Sequence, residues 1–174
     1  GPIFGGDIAS CNDAPPIFTV TAFAIPPECG AIQRTGAQVG DYVCVTGELG
    51  NSIAGHHLSF TPRIKEAISL LSELGGELHS MIDISDGLGQ DAAHLTTTET
   101  QIVIDTSTLP LREGATVNNA IKDGEDYELL FTSAVKPDET SATVIGVVKQ
   151  RQSQQPAVIT LSGDDISSFG WSHG

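Results

Sequence analysis

Asp83, Ser85 and Asp86 fall close together in the stretch Met81-Ile82-Asp83-Ile84-Ser85-Asp86-Gly87-Leu88. Asp83 closes an apolar run and Asp86 opens the turn into a predicted helix, so both carboxylates can converge where a helix N-terminus points its N–H groups. That arrangement suits a hard cation bridging phosphate oxygens, because Mg²⁺ takes one or two carboxylates and lets phosphate complete its octahedron. A plainer account has Ser85 or Asp86 capping the helix. Capping explains one of these polar residues and leaves the others, which favours the cation.

Two further clusters have chemical content. Asp123-Gly124-Glu125-Asp126-Tyr127-Glu128 is a glycine turn with dense acid just before an apolar strand, and by composition a solvated turn is the simpler account. Gly5-Gly6-Asp7 combines glycines that permit close backbone approach with an aspartate able to bind metal or ribose.

These residues need elements to hold them. A first strand is expected over 17–25, where Phe18, Val20, Ala22 and Ala24 alternate with Thr19, Thr21 and Phe23 before Pro26 and Pro27. Another is predicted over 42–46, followed by a short helix from about Ser52. Thr61, Pro62 and Gly75 bracket the longest predicted helix, with Ile64, Ala67, Ile68 and Leu71 as its buried stripe. Strand 78–84, helix 87–95 and strand 101–105 alternate as in an α/β sandwich, and 127–132, 143–148 and 157–161 add strands. Residues 149–156 read as a polar loop.

The 174 residues carry 8 Lys and Arg against 22 Asp and Glu, a net charge of -14. Such a balance argues against nucleic acid and against anionic membrane surfaces. No window is long and apolar enough to span a bilayer. Three cysteines, Cys11, Cys29 and Cys44, lack CxxC spacing; small core residues in a reducing cytoplasm are expected. Because the chain opens on Gly5-Gly6-Asp7 and a strand with no earlier partner, it reads as a fragment of a longer protein.

In order along the chain stand Gly5-Gly6-Asp7, Gln33-Arg34-Thr35-Gly36-Ala37 with Gly40-Asp41, Val45-Thr46-Gly47 with Leu49-Gly50, Asp83-Ile84-Ser85-Asp86-Gly87-Leu88, and Gly124-Glu125-Asp126-Tyr127-Glu128-Leu129-Leu130-Phe131-Thr132. This series resembles the thiamine-monophosphate kinases, members of the aminoimidazole ribonucleotide synthetase-like superfamily. The resemblance implies a mixed sheet with packed helices, with residues 1–29 the tail of an N-terminal ATP- and Mg²⁺-binding domain and 30–174 the C-terminal α/β domain. It implies ATP-dependent phosphorylation of thiamine monophosphate to thiamine diphosphate, by a parent protein that is a homodimer.

By the same resemblance Asp7, Asp83 and Asp86 are Mg²⁺ ligands, and Gly6, Asp7, Arg34 and Ser85 contact ATP. Glu125 and Trp171 belong to the thiamine site. No covalent or general-base residue is expected. Arg34 also suits a surface ion pair, and Trp171 a terminal packing role. Asp123 and Asn51 depart from the family, which usually has glycine and aspartate there. His56, His57, His79 and His94 are left without a role, and Asp91 is expected to be solvated. A non-catalytic binding module, or another ATP-using synthetase of the superfamily, would carry the same motifs.

Overall fold

The computed structural model describes residues 30–171 together with Thr21, Phe23, Ile25 and Pro26. The expected strand 17–25, Gly6, Asp7, Cys11 and Cys29 lie outside the described residues, apart from those three positions of the strand. Strands β1 (Tyr42–Val45), β2 (Leu78–Asp83), β3 (Thr100–Ile104), β4 (Leu129–Ser133), β5 (Thr143–Gln150) and β6 (Val158–Thr160) form one sheet. Their order is β2-β4-β1-β5-β3-β6, antiparallel throughout except for the parallel β3–β6 pair. The sheet is therefore mixed and packed with helices, as in the aminoimidazole ribonucleotide synthetase-like fold.

Among the described residues four α-helices accompany it: α1 (His56–Ser59), α2 (Ile64–Leu74), α3 (Leu88–Leu95) and α4 (Val117–Lys122). Side chains alternate across a strand, and here the alternation separates two cores. Val43 and Val45 join Leu88, Ala92 and Leu95 of α3 and Ala120 and Ile121 of α4. Cys44, between them, faces the opposite side with Phe131 and with Leu70 and Leu74 of α2. Helices thus cover both faces.

Helix α2 differs from its expected form. It begins at Ile64 with Arg63 at the capping position and no side-chain cap, so Thr61 does not cap it. Ile64 and Ile68 are 66% and 65% exposed, while Leu70 and Leu74 are buried. At about 100° per residue the inward face is turned roughly a quarter of the circumference from the expected stripe. Ala67, Leu71 and Leu74 satisfy the same apolar spacing, and packing on Phe131 and Cys44 selects among the registers.

Elsewhere β4 starts at Leu129 rather than at Tyr127, and β5 continues through Gln150 into the expected polar loop. Helix α4 was not expected. Its start carries a reciprocal capping box between Thr116 and Asn119, an asparagine standing where Glu or Gln is usual. Among the described residues no helix is long and apolar enough to cross a membrane.

Burial pushes the Cys44 thiol up to about 12. The thiolate is the reactive form, so at neutral pH a thiol reagent is expected to leave Cys44 unmodified in the folded chain and to label it after denaturation. Residue-resolved mass spectrometry checks this; labelling of Cys44 in the native state would contradict the packing.

Candidate active site

The end of β2 is held by backbone bonds to the acidic turn ahead of β4. Ile84 N–H donates to Glu128 O at 2.8 Å, Tyr127 N–H to Ile84 O at 2.9 Å, and Glu125 N–H to Ser85 O at 2.8 Å. Gly124 is packed so tightly on Ser85 O that a side chain there would collide with it. On the other flank Trp171 N–H donates to Asp86 O at 2.7 Å, and a Cβ on Gly170 would lie 2.5 Å from the same oxygen. Three loops, 84–87, 123–128 and 169–171, therefore converge.

They enclose a cavity of about 780 Å³ lined by Ile53, Ser85, Asp86, Lys122, Asp123, Gly124, Glu125, Tyr127, Gly170 and Trp171. Ser85, Asp86, Glu125 and Trp171, all singled out from sequence, meet here. Asp83 is exposed at the end of β2 and is not among the lining residues. Its charge nevertheless reaches the site: the Tyr127 phenol is held above its ordinary value by burial and by the carboxylates of Glu125, Asp83 and Asp86. Arg34 is exposed on the segment alongside β2, where Gln33 O accepts Met81 N–H, and does not line the cavity. Trp171 is 66% exposed, more open than a buried packing residue.

The acidic turn is not simply solvated. Asp126 and Glu128 are 0% and 1% exposed. Asp126 accepts Gly50 N–H at 3.0 and 3.1 Å and Arg112 Nη1 at 2.7 Å. Burial raises its carboxyl pKa, opposed by the Arg112 and Gly50 bonds. Glu128 receives Arg63 through Nε at 2.8 Å and Nη2 at 2.6 Å, and Thr46 Oγ1 at 2.8 Å. Gly47 leaves room for that carboxylate, whose atoms stand 2.7 to 2.8 Å from where a Cβ would be. Either side of Asp126, Glu125 and Tyr127 adopt left-handed φ of 61° and 52°, a conformation disfavoured for non-glycine residues. Phe60 stacks on Tyr127 with ring centroids 4.2 Å apart.

Asp91 is likewise not solvated but 1% exposed. Its Oδ2 accepts the N–H groups of Ser85 at 2.9 Å, Asp86 at 2.9 Å and Gly87 at 3.1 Å. Neither Ser85 nor Asp86 caps α3; Gly87 occupies the capping position with no side-chain bond. The sequence signal was present, since an entry at glycine needs an acceptor from elsewhere and Asp91 lies one turn inside the helix.

The two departures from the family meet in space, Asn51 N–H donating to Asp123 Oδ2 at 3.0 Å. His56 and His57 do not converge: one ring bonds Asp126 O and the other Ser52 O. His79 pairs with buried Asp41 at 2.9 Å. Among the described residues no group of three or more His, Cys, Asp or Glu is placed to hold a metal. Asp83 and Asp86 carry carboxylate oxygens, the donor type Mg²⁺ takes.

Fold and site together define an α/β domain of the aminoimidazole ribonucleotide synthetase-like class. A hydrogenase maturation HypE–HypF complex shares the fold alone (TM-score 0.57, 17% identity, 79% of this chain and 55% of that one). Within the class the chain is kin to the thiamine-monophosphate kinases. It is 31% identical to the Rhodopirellula baltica enzyme over 99% of its own length and 59% of the relative's. For the Halobacterium salinarum enzyme the identity is 30%, over 97% of this chain and 64% of the relative. The AaThiL structure complexed with AMPPCP and TMP superposes with a TM-score of 0.60 at 29% identity, over 82% of this chain and 54% of that one. The chain thus spans less than two thirds of the length of these relatives. No family model matches it.

Proposed function

We propose that this chain supplies the α/β part of an ATP-dependent kinase that phosphorylates thiamine monophosphate to thiamine diphosphate. Residues 1–29 would end a preceding domain and 30–174 would form the α/β domain, in a cytoplasmic homodimer. The observation that carries the reading is the cavity where Ser85, Asp86, Glu125 and Trp171 come together, in a chain similar over nearly its whole length to thiamine-monophosphate kinases. The AMPPCP and TMP of the related structure match the two ligands this reaction needs.

The acceptor is already an ionised phosphate, so no general base is needed; the difficulty is bringing two polyanions together. Mg²⁺, when bound, would neutralise phosphate charge. Asp83 and Asp86 would hold it from the end of β2 and the following turn, and with Asp7 would make up the family's ligand set. Ser85, Arg34 and Gly6 would contact the nucleotide. The cavity itself fits thiamine: Ile53, Tyr127 and Trp171 offer apolar and aromatic surface, and Asp86, Asp123 and Glu125 offer negative charge to a cationic ring. Lys122 is the one cation among the lining residues and suits the substrate phosphate.

Formation of thiamine diphosphate from ATP, Mg²⁺ and thiamine monophosphate tests the proposal, with binding measured in parallel. Trp171 is the sole tryptophan, so its fluorescence is expected to change as thiamine monophosphate enters. Trp171→Leu, which removes that fluorophore, should weaken binding read by calorimetry by about tenfold, the order of a cation–π contact closed off from water by the bound ligand. Absence of both product and a thiamine-specific fluorescence change would overturn the reading. Equal response to unrelated phosphorylated ligands would favour another superfamily substrate.

A further inference from the structure

We infer that Asp91 is a positioning residue: one buried carboxylate oxygen fixes the backbone of Ser85–Gly87 and thereby the direction in which Ser85 and Asp86 face a ligand. The ligand-binding side of this inference rests on the proposed function; the backbone side stands without it. A helix entry normally presents N–H groups to a nearby hydroxyl or carboxylate at the capping position. Here the entry residue is glycine, at φ 126°, and it has no side chain to cap with. Three successive N–H groups instead turn inward to a single acceptor from the first turn of α3.

The acceptor is itself locked. Asp91 N–H donates to Gly87 O at 2.9 Å, closing a ring of backbone and side-chain bonds. The neighbouring residues Leu88 and Ala92 are fully buried in the core beneath the sheet. Gly89 lies so close to Ile166 O that no Cβ fits between them, so α3 cannot rise or rotate without breaking core contacts. The loop is consequently referenced to the sheet through Asp91, while its outer surface lines the cavity through Ser85 and Asp86. A loop carrying charge that must meet phosphate within a fraction of an ångström requires such a reference.

Asp91→Leu removes the acceptor while filling a similar space, and Asp91→Asn retains one oxygen in the same place. Amide hydrogen exchange at Ser85, Asp86 and Gly87, read by NMR against Phe131 in the sheet interior, reports the backbone directly. In Asp91→Leu the three amides are expected to exchange at least about tenfold faster while Phe131 is unchanged. In Asp91→Asn they should stay near the parent rates. Affinity for Mg²⁺–ATP should fall by about 10- to 100-fold in the leucine variant, with substantial rescue in the asparagine variant. Should leucine disrupt folding, Asp91→Ser, whose hydroxyl is too short to serve three donors, carries the same expectation.

Unchanged exchange at 85–87 in a folded leucine or serine variant would overturn the inference. So would an affinity loss that asparagine does not relieve. A parent chain that binds no Mg²⁺–ATP, yet shows the expected exchange pattern, would overturn the proposed function and leave the positioning role of Asp91 in place.

Discussion

Asp126→Ala is expected to destabilise the fold by about 3–5 kcal/mol, the range for removing one partner of a buried ion pair. The aspartate is fully buried and serves two elements at once, Gly50 N–H and the Arg112 guanidinium, which is itself largely enclosed. Arg112 also donates to Gly50 O at 2.5 Å and to Glu48 O at 2.6 Å, so it would keep its place and its charge would remain without a counter-ion. The backbone compounds the loss. Glu125 and Tyr127 sit at left-handed φ on either side of Asp126, and such residues persist only where the surroundings hold them. Asp126→Ala should therefore lower the unfolding midpoint in urea and loosen the turn bearing Glu125. A variant as stable as the parent would show that Arg112 and Gly50 hold the turn without it.

Asp126→Asn separates shape from charge. Asparagine can still accept Gly50 N–H, but it brings no negative charge to Arg112. Its stability is expected to fall between the parent and the alanine variant. If the two substitutions cost the same, ion pairing rather than hydrogen bonding dominates.

Local signals in the sequence found most of the strands and half of the site. Apolar runs between glycine and proline punctuation located β1 to β6 within a few residues, because strand burial is written in consecutive side chains. The Asp83–Asp86 segment was equally legible, since strand, turn and helix follow one another without interruption. Thr46, Arg63 and Glu128 were not, because the partners of that network are separated by 65 residues or more. The burial of Asp126 is hidden in the same way: Gly50 is 76 positions away, and the nearer partner Arg112 stands on a segment with no periodic pattern. On α2 two apolar stripes competed in one helix, and only the position of Phe131 decided between them. Asp91 shows the opposite case, a charged residue buried by contacts only four to six positions away, where charge by itself signals exposure.

Asp83→Asn is expected to reduce phosphorylation of thiamine monophosphate by about 100-fold or more, since even outer-shell partners of a bound metal change activity by about 10- to 100-fold. The substitution is informative because it is structurally mild. Asp83 is exposed at the end of an edge strand, and its backbone pairing with Leu129 does not depend on the side-chain charge. Stability should change by no more than about 0.5 kcal/mol, as for ordinary surface positions. If the carboxylate holds Mg²⁺, the loss should appear as a raised requirement for Mg²⁺, and high metal should recover part of the rate. If it acts only by charging the rim of the cavity, metal concentration should not matter and Asp83→Glu should restore function regardless of reach. Full activity in Asp83→Asn would remove this carboxylate from the ligand set and leave Asp86 as the one candidate on this loop. The neighbouring Tyr127 provides an independent readout, because one of the charges raising its phenol pKa disappears in the variant. That pKa should move down towards the ordinary tyrosine value whether or not the chain turns over substrate.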